Sequence, residues 1–213
     1  MYDAAVCEAA ATLVARDGVD CYALTVHPGH HASREHFGGY CFLNHAVLIA
    51  RLLEERGKRP FVVDVDYHAG DGSAALLGDA AGGCASRLVS LHAPDDYPFL
   101  PAGLPWAIGV PPRATWAEYE PLLRAALARR PAATDCLVLS LGYDTLEGDP
   151  DARSAHRLAL TPSDFGRMRG VLRETGLPLC AVQEGGYHME AIPDAAEAFW
   201  ASGAAAAAAA DAL

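Results

Sequence analysis

At 213 residues the chain is long enough for a single domain with a substantial core. With 52% apolar and 20% charged residues it is not a disordered polymer. A formal charge of −11, without any run of lysine or arginine, argues against nucleic acid or an anionic membrane as partner.

Helical periodicity opens the chain, near Ala4 to Arg16, and the first β-leaning run follows at Cys21 to Val26. Further strands are expected at Phe61 to Asp66, Arg87 to His92, Asp135 to Leu141 and Leu179 to Gln183. Helices are expected near Asn44 to Glu55, Trp116 to Arg129, Ser163 to Glu174 and Pro193 to Ala208. Thr161-Pro162-Ser163-Asp164 reads as a helix start, and Ala204 to Ala210 as a helix-favouring tail without chemistry. Pro94 to Pro112 holds six prolines and no periodicity, and reads as a long ordered surface loop. Near-continuous apolar strands alternating with helices predict an α/β fold, a three-layer α/β/α sandwich with a mainly parallel sheet, over one domain of residues 1–213.

The six cysteines (Cys7, Cys21, Cys41, Cys84, Cys136, Cys180) are scattered, with no C-x-x-C pair. The N-terminus shows no charged-then-apolar leader, and no apolar run is long enough to span a bilayer. A reducing, cytoplasmic setting is the expectation.

Polar residues suited to chemistry fall just after the strands. His27, His30 and His31 follow the first, Asp66 and His68 the second, His92 the third, Asp144 the fourth and Glu184 to Tyr187 the fifth. Five strand ends thus feed one rim, where open α/β sheets build their sites. In an extended segment residues i and i+2 share a face, so Asp66 and His68 aim together at that rim. With Asp144 as the natural third ligand, two carboxylates and one imidazole suit a catalytic zinc with open positions. Asp64-x-Asp66 with Gly70-Asp71-Gly72 also has the look of a calcium loop, but Ala75 stands at its twelfth position and a strand leads into it.

His30 and His31, adjacent after a Pro-Gly turn, suit the proton transfers of hydrolysis, with metal ligation as a competing role. Imidazoles in that role need acceptors on their second nitrogen, and Asp64 and Asp71 are the unused carboxylates nearby. Glu184-Gly185-Gly186-Tyr187 turns tightly enough to bring a phenol to the site, where it can donate to a developing oxyanion.

Together these motifs resemble the zinc-dependent deacetylases of the arginase/deacetylase superfamily, namely histone deacetylases and bacterial acetylpolyamine amidohydrolases. The resemblance runs in order through Pro28-Gly29-His30-His31-Ala32, Gly39-Tyr40-Cys41-Phe42-Leu43-Asn44, Asp64-Val65-Asp66-Tyr67-His68, Ser90-Leu91-His92, Gly142-Tyr143-Asp144-Thr145 with Gly148-Asp149-Pro150, and Glu184-Gly185-Gly186-Tyr187. It implies Asp66, His68 and Asp144 as zinc ligands and His31 as general base, with His30 as electrostatic partner or acid. It also implies Asp64 paired with His30, Asp71 paired with His31, and Tyr187 polarising the acyl carbonyl. Gly39, Tyr40, Phe99 and Leu100 would line a substrate tunnel. A structural potassium site would use Asp64, Asp66, His68, Ser90 and Leu91.

The chain departs from the family pattern in three places. Ala69 stands where a second histidine is usual, the segment before His30 is short, and Asp151 follows Asp149-Pro150 where relatives often carry an apolar residue. The short leading segment implies a missing opening strand and rim loop, and a sheet edge open to a partner or to self-association as a homo-oligomer. Asp151 would favour a cationic substrate such as an acetylated polyamine, or else be a solvated loop residue. The expected activity is removal of an acyl group, first of all acetyl, from a small amine, polyamine or lysine-like amide. The rivals are a catalytically weak or inactive zinc-binding module and a two-metal, arginase-like ureohydrolase.

Overall fold

Alternate side chains of the central strands leave the sheet in opposite directions, and both sets find apolar cover. In the computed structural model, which describes residues 2–78, 86–153 and 155–210 (the last nine through their backbone alone), six strands form one parallel sheet. The strands are β1 (Cys21–Ala23), β2 (Pro60–Asp64), β3 (Leu88–His92), β4 (Ala107–Gly109), β5 (Cys136–Leu141) and β6 (Leu179–Gln183). The order is β1-β6-β5-β2-β3-β4, and every pairing is parallel. Six helices accompany it: α1 (Tyr2–Asp17), α2 (His45–Glu55), α3 (Asp71–Leu77), α4 (Trp116–Ala128), α5 (Pro162–Arg173) and α6 (Ile192–Ala210).

On one face Val62, Leu88, Val138, Cys180 and Val182 pack with Cys7, Ile49 and Leu53 of α1 and α2. On the other, Phe61, Val63, Val89, Leu139 and Ala181 pack with Leu123, Phe165, Met168 and Phe199 of α4, α5 and α6. The odd–even split of Phe61, Val62 and Val63 is the two-residue period of a strand buried on both sides. Three layers follow directly, as the apolar runs predict.

Three details differ from the sequence expectation. The proline-rich stretch contains an edge strand: Ala107–Gly109 pairs with Ser90, Leu91 and His92. It is too short and too flanked by proline for a periodic signal, and an edge position tolerates such flanks. The seven-residue α3 was likewise not expected, because a glycine turn and Asp71-Gly72 read as loop. The second strand ends at Asp64, so Asp66 and His68 stand in the loop beyond it, and His92 is the last residue of β3.

Thr161 caps α5 as predicted: Asp164 accepts from the Thr161 N–H at 2.8 Å and Pro162 takes the first turn. Cys7, Cys21, Cys41, Cys136 and Cys180 are free thiols, while Cys84 lies outside the described residues. Among the described residues no helix is long and apolar enough to cross a membrane.

Candidate metal centre and its cavity

The carboxyl ends of β2, β5 and β6 meet at the centre of the sheet, and the loops leaving them converge on one point. Ligand atoms of Asp66, His68 and Asp144 lie within 4.8 Å of one another. His68 Nδ1 stands 3.3 Å from Asp66 Oδ1 and 3.2 Å from Asp144 Oδ2. Backbone donors hold the two carboxylates: Asp66 accepts from Gly185 N–H at 2.8 Å and His68 N–H at 2.8 Å, and Asp144 from Tyr67 N–H at 2.9 Å.

Both aspartates are fully buried, with the His68 imidazole beside them. Burial, and then the charge of Asp66, pushes the Asp144 carboxyl well above the usual carboxylate range. Burial works against His68 as well, yet Asp144 and Asp66 hold its imidazolium up to about 10. Two buried carboxylates and an imidazole with ligand atoms this close form a donor set that a borderline dication fits. Gly185 is required here, because a Cβ on it would meet Asp144 Oδ2 at 2.7 Å and Asp66 Oδ2 at 2.9 Å.

Next to this cluster stand two buried histidines with separate carboxylate partners. His30 Nδ1 is 3.0 Å from Asp64 Oδ2, and His31 Nδ1 is 2.7 Å from Asp71 Oδ1. The rings lie 4.1 Å apart. Their electrostatics diverge. Burial opposes charge on His30, but Asp66 and Asp64 overcome it and raise the pKa well above the ordinary imidazole value. Burial and the neighbouring His30 lower that of His31. One ring is thus held as a cation and the other kept neutral, the split that an acid/base pair needs.

Asn44 and Glu184 fix this segment to the sheet. Asn44 caps α2 by accepting from Val47 N–H at 3.0 Å, and its amide donates to the Ala32 carbonyl at 3.0 Å. Glu184 accepts from the backbone N–H groups of Gly29 (2.5 Å) and His30 (3.1 Å) and from Ser140 Oγ (2.9 Å). A second group of possible ligands, His30, Cys41 and Glu184, therefore has His30 Nδ1 and both Glu184 oxygens already engaged.

Above the metal cluster opens a cavity of about 430 Å³, lined among others by His30, His31, Gly39, Tyr40, Asp66, His68, Tyr97, Asp151 and Tyr187. Tyr187 sits 5.8 Å from the Tyr40 ring, and Asp149 accepts from the Tyr187 N–H at 2.6 Å and the His188 N–H at 3.0 Å. Burial, then the Asp66 charge, raises the Tyr187 phenol far above its ordinary range, so it stays a donor. Gly39 adopts φ +52° to pass over the His31 ring.

Phe99 and Leu100 do not line the cavity. Phe99 is exposed beneath the Arg153 guanidinium, and Leu100 is partly buried against the core on the α1 and α2 side of the sheet. Tyr97 occupies the wall instead, its ring 4.8 Å from His31. His27 faces outward against Phe42, and His92 is buried with Ser90 Oγ at 3.2 Å. Asp64 lies in register with Ser90 and Leu91 follows it on β3, which puts these residues beside one another below the rim. Sequence reading gave no role to Asp96, Asp149, Arg153 or Glu184. Burial marks the three acids; Asp149 and Glu184 stand in motifs already quoted, whereas Asp96, a lone acid in a loop, carries no signal in sequence.

Comparison with known proteins places the chain in a family. The family model for the histone deacetylase domain matches residues 1–202. An acetylpolyamine amidohydrolase of Burkholderia pseudomallei is 35% identical over 210 residues, covering 90% of this chain and 58% of that protein. Acetylpolyamine amidohydrolase 2 of Pseudomonas aeruginosa is 33% identical, covering 80% and 52% respectively. A crystal structure of the acetylpolyamine aminohydrolase from Burkholderia pseudomallei superposes with a TM-score of 0.80 at 33% identity, over 94% of this chain and 60% of that one. The chain spans little more than half the length of these relatives. On sequence, fold and the order of its motifs, the chain belongs to the histone deacetylase family.

Proposed function

We propose that the protein is a zinc-dependent amidohydrolase that removes an acyl group, acetyl in the first instance, from a small amine, polyamine or lysine-like amide. One observation carries this reading: two buried histidines, each paired with an aspartate, and a phenol surround a carboxylate–imidazole cluster at one cavity. The relatives named acetylpolyamine amidohydrolase point to the same chemistry.

Asp66, His68 and Asp144 are the residues that would hold zinc. When bound, the ion supplies Lewis acidity toward the acyl oxygen and lowers the pKa of water. His31, kept neutral by burial and by His30, takes the proton of the attacking water, with Asp71 holding its Nδ1–H. His30, charged beside Asp64, stabilises the developing negative charge. The Tyr187 hydroxyl donates to the same oxygen, and an imidazolium then protonates the departing amine. Gly39, Tyr40 and Asp151 would bound the acyl chain's path.

A structural potassium ion near Asp64, Asp66, His68, Ser90 and Leu91 belongs to the same reading, supported by the full burial of Asp64 and Ser90. So do one catalytic domain over residues 1–213, a cytoplasmic setting that suits the free thiols, and an acylated amine as partner in place of nucleic acid or membrane. An inactive scaffold is the weaker reading, because the groups keep their second hydrogen-bond partners as well as their positions.

The test combines metal content with turnover. One zinc per chain and hydrolysis within a panel of acetylated lysine peptides, acetylpolyamines and small acylated amines are expected. Tyr187→Phe and His31→Ala should each lose most activity, roughly 100-fold or more, while zinc stays bound. Near-normal turnover in either variant sinks the assigned roles.

A further inference from the structure

The cavity mouth carries a cation and an anion two residues apart. Arg153 and Asp151 both line it, along with Tyr40, Tyr97 and Tyr187. Arg153 is held from behind. Its Nε pairs with Asp96 at 3.1 Å, and its guanidinium carbon lies 4.9 Å from the centre of the Phe99 ring. Asp96 is 5% exposed and itself fixed, accepting from the Tyr67 hydroxyl at 3.0 Å and from Tyr97 N–H at 2.7 Å. With Nε anchored, the two Nη groups have no partner among the described residues. A guanidinium restrained at one edge and stacked on an aromatic face is pre-organised to bind a carboxylate with its remaining donors.

Asp151 has its backbone N–H fixed on Asp149 Oδ1 at 3.0 Å, and among the described residues its carboxylate pairs with no cation. The pair therefore offers opposite charges to one ligand on the exposed part of the cavity lining, whereas Asp66 is buried. An acetylated polyamine brings cations only, and would satisfy Asp151 while facing Arg153 with like charge. A residue inside a peptide brings neither a free ammonium nor a free carboxylate. An α-amino acid acylated on its side-chain amine brings both, at the end away from the amide.

We propose that Arg153 and Asp151 select a free zwitterionic substrate, an Nω-acyl α-amino acid of which Nε-acetyl-lysine is the simplest probe, with Arg153 holding its α-carboxylate and Asp151 its α-ammonium. The reaction at the other end rests on the amidohydrolase reading above; the binding does not.

Nε-acetyl-L-lysine and N-acetylcadaverine share the acetylated five-carbon chain and differ by the carboxylate. Binding of each to the zinc-loaded full chain is measured by calorimetry, and kcat/KM for each by amine release. The wild type should prefer Nε-acetyl-lysine by about tenfold or more in both, as a charge-assisted contact of this kind supplies. Arg153→Met should bring that ratio towards one, and Arg153→Lys should restore part of it. A side chain this exposed can be replaced with the fold intact, which a thermal melt checks. Equal binding of the two compounds, or a preference that survives Arg153→Met, overturns the proposal. Turnover of neither compound alongside an intact binding preference overturns the amidohydrolase reading and leaves the zwitterion site standing.

Discussion

Asp66 shows how much one residue is asked to do. Its Oδ1 accepts from His68 N–H and lies near His30 Nε2 at 3.5 Å, while Oδ2 accepts from Gly185 N–H. Each partner comes from a different loop, so its position depends on the whole rim. Gly185, like Gly142, tolerates no side chain in this scheme, since a methyl group on either intrudes on both the Asp66 and Asp144 carboxylates. Gly185→Ala is expected to weaken zinc binding by about 10- to 100-fold, the range seen when groups that orient metal ligands are disturbed. Competition against a chromogenic chelator measures it, and unchanged affinity would show that the carboxylates have room to move. Arg153 and Asp96 make the converse point. Neither belongs to a motif, and their meaning appears only when β3's trailing loop meets the loop after β5.

Individual elements rest on local rules that the sequence states openly. The capping box of α5 has Thr161 and Asp164 holding each other's backbone, with Pro162 in a position that needs no donor. Thr161→Ala should cost about 1 kcal/mol of stability, read as a lowered denaturant midpoint; no change would mean that packing of α5 on α6 alone fixes the helix start. The central strands are a different case. Leu139 is fully buried on β5 between β2 and β6, so Leu139→Ala should cost about 2–5 kcal/mol in the same measurement. The elements that sequence reading passed over, α3 and β4, are short pieces whose glycine and proline content favours loops. Pairing with Ser90 to His92 makes β4 a strand, and packing of Leu77 among apolar residues of α2 and β3 stabilises α3.

For the molecule as a whole, buried titratable groups set its response to pH and metal. Burial lowers the His92 pKa to about 4; Ser90 on its own strand accepts or donates at 3.2 Å, the Trp106 ring flanks it, and the charge of His30 adds to the depression. A histidine depressed in the folded state contributes its full stability above the unfolded value of about 6.5 and loses it as pH falls toward 4. The loss over that window is about 3 kcal/mol, and His92→Gln should flatten this acid limb in a pH series of urea melts. An unaltered limb would assign it to other groups. Removing a metal held by Asp66, His68 and Asp144 would act on the same balance, because the repulsion between the two carboxylates would then be unrelieved. Chelation is expected to lower the melting temperature by roughly 10 °C, from mass action on a tightly bound ion. An identical melt with and without chelator would argue that no structural share of the stability comes from metal.

The sequence by itself determined the parallel three-layer fold, because strands buried on both faces must be apolar at odd and even positions alike, as Phe61 to Val63 are. It also singled out Asp66, His68, Asp144, His30 and His31, which the fold brings together, because polar residues just past apolar strands have one rim to share. Tertiary structure alone decided their electrostatics and their neighbours. His30 and His31 are identical side chains one peptide apart; Asp66 and Asp64 hold the first as a cation, while burial and the charge of His30 keep the second neutral. It likewise put Tyr97 rather than Phe99 or Leu100 in the cavity wall and brought Arg153 and Asp151 to the same lining. Periodicity records which face of an element is buried; which loop meets which above the sheet depends on long-range packing that no local pattern encodes.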